Sequence, residues 1–128
     1  MNLLLDTHAL IWWTQDDPKL SRRAHRAIGN AENAVYASAV SAMEIVTKFR
    51  IGKLGDAAGL ALRFEERIEA EDFRPLPISV THGRLAGTLS NPHKDPFDRL
   101  LIAQALTDNL ILVSNEVMFD TFGVKRLW

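Results

Sequence analysis

Asp6, Glu44, Asp98 and Glu116 are the residues of this chain best placed to do chemistry. Carboxylates gathered at one place repel one another and raise each other's pKa unless a cation sits between them. The chain has no cysteine, which excludes a thiolate zinc site and a thiol nucleophile together. Its four histidines, His8, His25, His82 and His93, lack the HxxxH or HExxH spacing that sets a pair on one helix face. A metal here must therefore take oxygen ligands, as Mg²⁺ does and as Mn²⁺ can in its place. Such an ion polarises a phosphoryl oxygen and lowers the pKa of a bound water, which supports phosphodiester hydrolysis. It also lets an acidic pocket accept a polyanion.

The order of elements brings these acids together. Leu3-Leu4-Leu5 reads as a short buried strand ending at Asp6, and Ala34 to Ala37 as a second strand. Leu110 to Val113 is a strand apolar on both faces, and Val124 to Trp128 is a candidate edge strand. The extended segment from Phe73 to Ile78 contains two prolines that cannot donate to a ladder, so it belongs on a sheet edge. Helices are expected from Ser21 to about Ile28, Val40 to Arg50, Asp56 to Ala70, Thr81 to Leu89 and Pro96 to Leu106, with Ser21, Ser38 or Ser41, and Asp95 as caps. In the third of these, Asp56 to Ala70, Leu60, Leu62, Phe64 and Ile68 supply the apolar residues. Strands alternating with helices predict a parallel sheet covered on both faces. Residues just after a parallel strand, and the first turns of a helix returning antiparallel to it, share one edge of the sheet. That rule places Asp6 and Glu116 beyond strand ends, and Glu44 and Asp98 in first turns, all on the same edge.

Each acid also has a structural reading. Asp98 can complement a helix dipole, Asp95 can serve only as a cap, Glu44 can be a solvated helix residue, and Glu116 a loop acid. Asp6 has the stronger claim, because an acid directly after a buried strand stands where open α/β sheets bind ligands. Arg99 could meet a phosphate or orient the acids as an ion pair. Lys48, Arg50 and Lys53, and likewise Lys19, Arg22, Arg23 and Arg26, could follow a phosphate backbone, although solvated helix faces explain them more simply. Adjacent Trp12 and Trp13 cannot both face one core from a helix, so one is a candidate interface anchor. His8 and His93 read as hydrogen-bonded structural histidines rather than general bases.

A length of 128 residues fits a single domain spanning 1–128, and 47% hydrophobic with 24% charged residues is ordinary globular composition. A formal net charge of −1 offers no broad basic footprint, so any polyanion contact must be local. The longest wholly apolar run, Ala9 to Trp13, is far short of the roughly 20 residues that cross a bilayer. The N-terminus lacks a charged n-region, and Asp6 interrupts its apolar stretch, so no signal peptide and a cytoplasmic location are expected.

Four segments carry a resemblance: Asp6-Thr7-His8-Ala9-Leu10-Ile11-Trp12, Ser38 to Ile45, His93-Lys94-Asp95-Pro96-Phe97-Asp98-Arg99 through Ala105, and Leu112-Val113-Ser114-Asn115-Glu116. Together they closely resemble the PIN-domain ribonucleases, specifically the VapC-type toxins of bacterial toxin-antitoxin pairs, over essentially the whole chain. The resemblance implies a three-layer α/β/α fold with a central parallel sheet and Mg²⁺- or Mn²⁺-dependent endonucleolytic cleavage of RNA. It also implies a cognate antitoxin and a homodimer. Asp6, Glu44 and Asp98 match the family's three core acids, and Glu116 falls where a fourth, usually Asp, is expected. Thr7 and Ser114 match hydroxyl positions beside the site, and Asp95 belongs to the same pattern. Met43 departs from it, standing where many relatives carry Trp, and Glu116 is longer than the usual Asp by a methylene.

Two other function classes bear on the same acids. Phosphoryl transfer through an aspartyl intermediate fits poorly, since the phosphatases of that type need a second Asp where this chain has His8, and receivers need an acidic pair near the first strand. A non-catalytic PIN-like scaffold that binds RNA or a partner is the remaining alternative.

Overall fold

The computed structural model describes residues 1–90 and 92–128. Its centre is a sheet of five parallel strands, β1 (Asn2–Leu5), β2 (Ala34–Ser38), β3 (Arg74–Leu76), β4 (Ile111–Val113) and β5 (Arg126–Leu127), in the order β3-β2-β1-β4-β5. β1 is the middle strand, and that position accounts for its sequence. Leu3, Leu4 and Leu5 have no exposed surface because both faces of the strand are covered. Leu3 and Leu5 pack in one layer with Leu10, Ala24, Phe64 and Ile68, while Leu4 points the other way into Leu101, Ile102, Leu112 and Phe119. The period-2 alternation of a strand thus divides the core into two halves, with helices outside each. The fold is three-layer α/β/α.

Most of the expected helices are present. α2 (Arg22–Gly29) opens at Ser21, whose side chain accepts from the Ala24 amide, and α3 (Ala39–Arg50) opens at Ser38. α6 (Val80–Thr88) packs on α7 (Pro96–Thr107). Asp95 caps α7 with Pro96 in its first turn, and the chain then turns through Asn109 at φ 54 into β4. The proline-containing segment forms edge strand β3, and the C-terminal segment forms edge strand β5.

Three expectations need correction. A helix absent from the sequence reading, α1 (Thr7–Thr14), follows β1 directly, capped by Asp6. It is apolar almost all round, so no 3.6-residue contrast marks it. The helix expected over Asp56 to Ala70 is divided into a 3₁₀ turn (Gly55–Ala57), α4 (Ala58–Leu62) and α5 (Phe64–Ala70). The break lies at Arg63, at φ −136 and ψ 44. Leu60, Phe64 and Ile68 keep their four-residue spacing into the core across it, whereas Leu62 lies around the other side and is 69% exposed. Finally, neither tryptophan of the adjacent pair is exposed. Trp12 packs on Trp128 with ring centroids 5.9 Å apart, and Trp13 lies on Phe73 and donates from Nε1 to Glu71 at 2.9 Å. They close the two flanks of α1.

Among the described residues no helix is long and apolar enough to cross a membrane. One buried polar link ties the layers together: Gln104 of α7, with no exposed surface, accepts from Ser38 Oγ at 2.6 Å and donates to the Pro77 carbonyl at 3.3 Å. Replacing Gln104 with Leu leaves the buried Ser38 hydroxyl without its acceptor, which should cost about 1–3 kcal/mol in urea unfolding. An unchanged midpoint would contradict the structural role given to this link.

Candidate active site

β1 sits where the strand order reverses, with β2 on one side and β4 on the other, and the chain leaves all three strands at the same edge. Asp6 is the first residue beyond β1. Its amide donates to the Val113 carbonyl at 3.1 Å, pinning it beside β4, and its Oδ1 accepts from the Ala9 amide at 2.7 Å, capping α1. The backbone therefore has little freedom to carry this carboxylate out of the protein, and Asp6 is 5% exposed. Burial pushes its pKa from the ordinary 3.8 up to about 6. Hydrogen bonds from Ser114 and the Ala9 amide and the charge of His8 oppose the rise, and the negative charge of Glu116 adds to it.

Ser114 and Glu116 follow β4. Ser114 is fully buried, accepts from the Glu116 amide at 3.0 Å and presents its hydroxyl to Asp6, so one side chain fixes both acids. Asp98 lies in the first turn of α7, held by the Asp95 cap, whose Oδ1 accepts from the amides of Phe97 at 2.9 Å and Asp98 at 3.3 Å. Its own Oδ2 is 2.9 Å from His93 Nε2. Burial raises the Asp98 pKa, the His93 hydrogen bond opposes this, and Asp95 and Glu116 raise it further. Glu116 is thus within electrostatic reach of both Asp6 and Asp98.

Glu44, half-buried in the second turn of α3, is engaged differently. Thr7 Oγ1 donates to its Oε1 at 2.8 Å, and Lys48 Nζ lies 3.0 Å from its Oε2. Thr7 Oγ1 is also 3.0 Å from Ser41 Oγ. The expected convergence therefore has two parts: Asp6, Asp98 and Glu116 act on one another's charge, and Glu44 joins through Thr7, the residue after Asp6. Among the described residues no group of three or more acids or histidines closes into a metal cage. The acids line the edge without surrounding a point.

Other expected residues have specific places. Arg99 donates to three backbone carbonyls, Ala86 at 2.9 Å, Leu89 at 2.6 Å and His93 at 2.9 Å, and so ties the end of α6 to His93 and the start of α7. His93 is the hydrogen-bonded neighbour expected, whereas His8 is exposed and stacks on Trp12 at 5.5 Å. Met43 is 62% exposed, outside the core. Arg22, Arg23, Arg26, Arg50 and Lys53 are exposed on helix faces and turns. Ser41 was read only as a possible cap, and its place beside Thr7 was missed. Its spacing three residues before Glu44, with Lys48 four after, puts all three on one side of a helix.

The donor set along the edge is wholly oxygen: the carboxylates of Asp6, Asp98 and Glu116, the hydroxyl of Ser114, and the Glu44 carboxylate linked to Asp6's neighbour Thr7. It fits a hard divalent cation, and a carboxyl group whose ionisation is opposed by burial and by a nearby acid gains from such an ion what it lacks within the chain. A cleft lined by Thr14, Asp56, Arg63 and Arg67 lies elsewhere on the molecule. The site belongs at the acids, where titratable groups perturb one another.

The model of the PIN domain family matches residues 3–125. No curated protein matches the chain by sequence. Among solved structures, VapBC2 from Rickettsia felis, bound to a DNA fragment from its promoter, superposes with a TM-score of 0.72 at 14% identity, covering 99% of this chain and 98% of that one. FitAcB from Neisseria gonorrhoeae gives 0.72 at 20% identity, covering 98% and 96%. VapBC-1 from nontypeable Haemophilus influenzae gives 0.66 at 16%, covering 99% and 97%. These likenesses establish a shared fold.

The raised pKa of Asp6 has a signed consequence for stability. The folded protein holds a proton that the unfolded chain has released, so without divalent ions stability is greatest below about pH 4 for this group and is lost as pH rises toward and through about 6. Asp6→Asn keeps the cap and removes the penalty. At pH 7 in chelator it should be more stable than the wild type by up to ~3 kcal/mol, with the difference vanishing near pH 4. Parallel urea curves for the two proteins across this range would contradict the burial cost assigned to Asp6.

Proposed function

Because the chain belongs to the PIN-domain family, we propose that it is a divalent-metal-dependent endoribonuclease and the toxin of a toxin-antitoxin pair. The observation that carries the reading is the charge coupling of Asp6, Asp98 and Glu116 along an edge where three helices begin. A Mg²⁺ ion, or Mn²⁺ in its place, supplies Lewis-acid polarisation of the phosphoryl group and acidification of a water. Asp6 and Asp98 would hold the cation, with Glu116 as a third ligand or its outer partner and Glu44, held beside Asp6 by Thr7, as a further ligand once Lys48 is displaced. Ser114 fixes Asp6, Asp95 fixes the start of α7, and Arg99 fixes the backbone that carries His93 against Asp98.

The polyanion has further support in the backbone. α1, α3 and α7 all start at this edge, so the positive ends of three helix dipoles face an incoming phosphate. RNA is the substrate that the family resemblance favours. The VapBC and FitAcB relatives support a cognate antitoxin as partner, and the same resemblance favours a homodimer and a cytoplasmic setting. A non-catalytic scaffold is the competing reading, and the commitment of Glu44 to Thr7 and Lys48 is the observation in its favour.

Cleavage of a mixed structured-RNA pool separates the two readings. Wild-type protein with Mn²⁺ or Mg²⁺ should cut, chelator should stop it, and Asp6→Asn or Asp98→Asn should lower the rate by more than ~100-fold while leaving the circular dichroism spectrum intact. Glu116→Gln should cost less, about 10-fold. Full activity of either Asn variant with saturating metal would overturn the assignment.

A further inference from the structure

Lys48 has a position that neither the charge pattern nor the family motif accounts for. It lies one helical turn beyond Glu44, with Nζ 3.0 Å from Oε2 and side-chain exposures of 32% for the lysine and 18% for the glutamate. The other oxygen of Glu44 is taken by Thr7. The chain thus supplies Glu44 with its own cation at the place where the acid edge would take up an external one.

An i,i+4 pair this open to solvent is weak. A divalent ion attracts a carboxylate with twice the charge of an ammonium and would displace it. The displaced group stays tethered by its four-carbon stem one turn beyond Glu44. We infer that Lys48 is a phosphate-binding residue stored on Glu44: it competes with the divalent ion for that carboxylate, and once displaced it holds a phosphate of the RNA strand. The inference rests on the metal-dependent reading above. It makes binding of ion and RNA mutually supporting through one side chain, since the ion frees the residue that grips the substrate.

Calorimetry with Ca²⁺ and fluorescence anisotropy with a labelled single-stranded RNA of mixed sequence test this without turnover, Ca²⁺ taking the same class of oxygen ligands. Lys48→Met should bind Ca²⁺ about two- to fivefold more tightly, because its competitor is gone. With Ca²⁺ present it should bind RNA about two- to fivefold more weakly, and the slope of log affinity against log salt should flatten by about 0.7, the loss of one phosphate contact. In chelator, where the ammonium is already engaged, RNA affinity should not change. Lys48→Arg should restore RNA binding. If wild-type protein binds Ca²⁺ and RNA but Lys48→Met alters neither, or weakens RNA binding equally in chelator, Lys48 is a solvated helix residue and the inference falls while the metal reading stands. If the wild type takes up neither Ca²⁺ nor Mn²⁺, the metal reading falls and the inference with it.

Discussion

The structure turns on a carboxylate buried at the end of its central strand. Asp6 cannot leave, because its backbone is bonded to β4 and its side chain starts α1, and it cannot ionise freely, because water is excluded and Glu116 is close. A chain optimised for stability alone would place Asn there, which caps equally well and carries no charge. Retaining an acid keeps a local electrostatic deficit that a divalent ion removes. Strain of this kind, localised where several elements meet, is what the proposed metal site would need before its ion arrives.

The rest of the architecture distributes partners around that point. Parallel strands send every chain exit to one edge, and the returning helices begin there, so residues from position 6 to position 116 meet without any long loop. Three of the four acids then have their own holding groups. Ser114 holds Asp6, Thr7 and Lys48 hold Glu44, and the Asp95 cap and His93 hold Asp98. Arg99 acts one step further out, on backbone carbonyls instead of acids, so a charge that sequence spacing associates with phosphate or with Asp98 serves to shape the segment before α7.

Where a local rule dominates, the sequence was legible. Three consecutive leucines specified a strand buried on both faces, Asp95-Pro96 marked the start of α7, and two prolines assigned β3 to an edge. The shared edge of the acids followed from topology alone. α1 was not legible because its apolar residues surround the helix, and periodicity is a contrast signal. The break at Arg63 was hidden because the core-facing spacing of Leu60, Phe64 and Ile68 continues through it. Among the site residues, identity and edge could be read, but which acids couple could not. That depends on side-chain directions set by tertiary partners, as the turn of Glu44 toward Thr7 and Lys48 shows.

The central claim, that the buried acid of this edge awaits a divalent ion, is tested most directly by the protons released when the ion binds. Titrating Mn²⁺ into the protein calorimetrically at pH 6, in buffers of different ionisation enthalpy, reads that number. With Asp6 near half-protonation at this pH, binding should release about half a proton or more, the release should shrink toward zero at pH 8, and Asp6→Asn should lower the release at pH 6 by about half a proton. Saturable Mn²⁺ binding with no buffer dependence at pH 6, or no binding at all, would contradict the account.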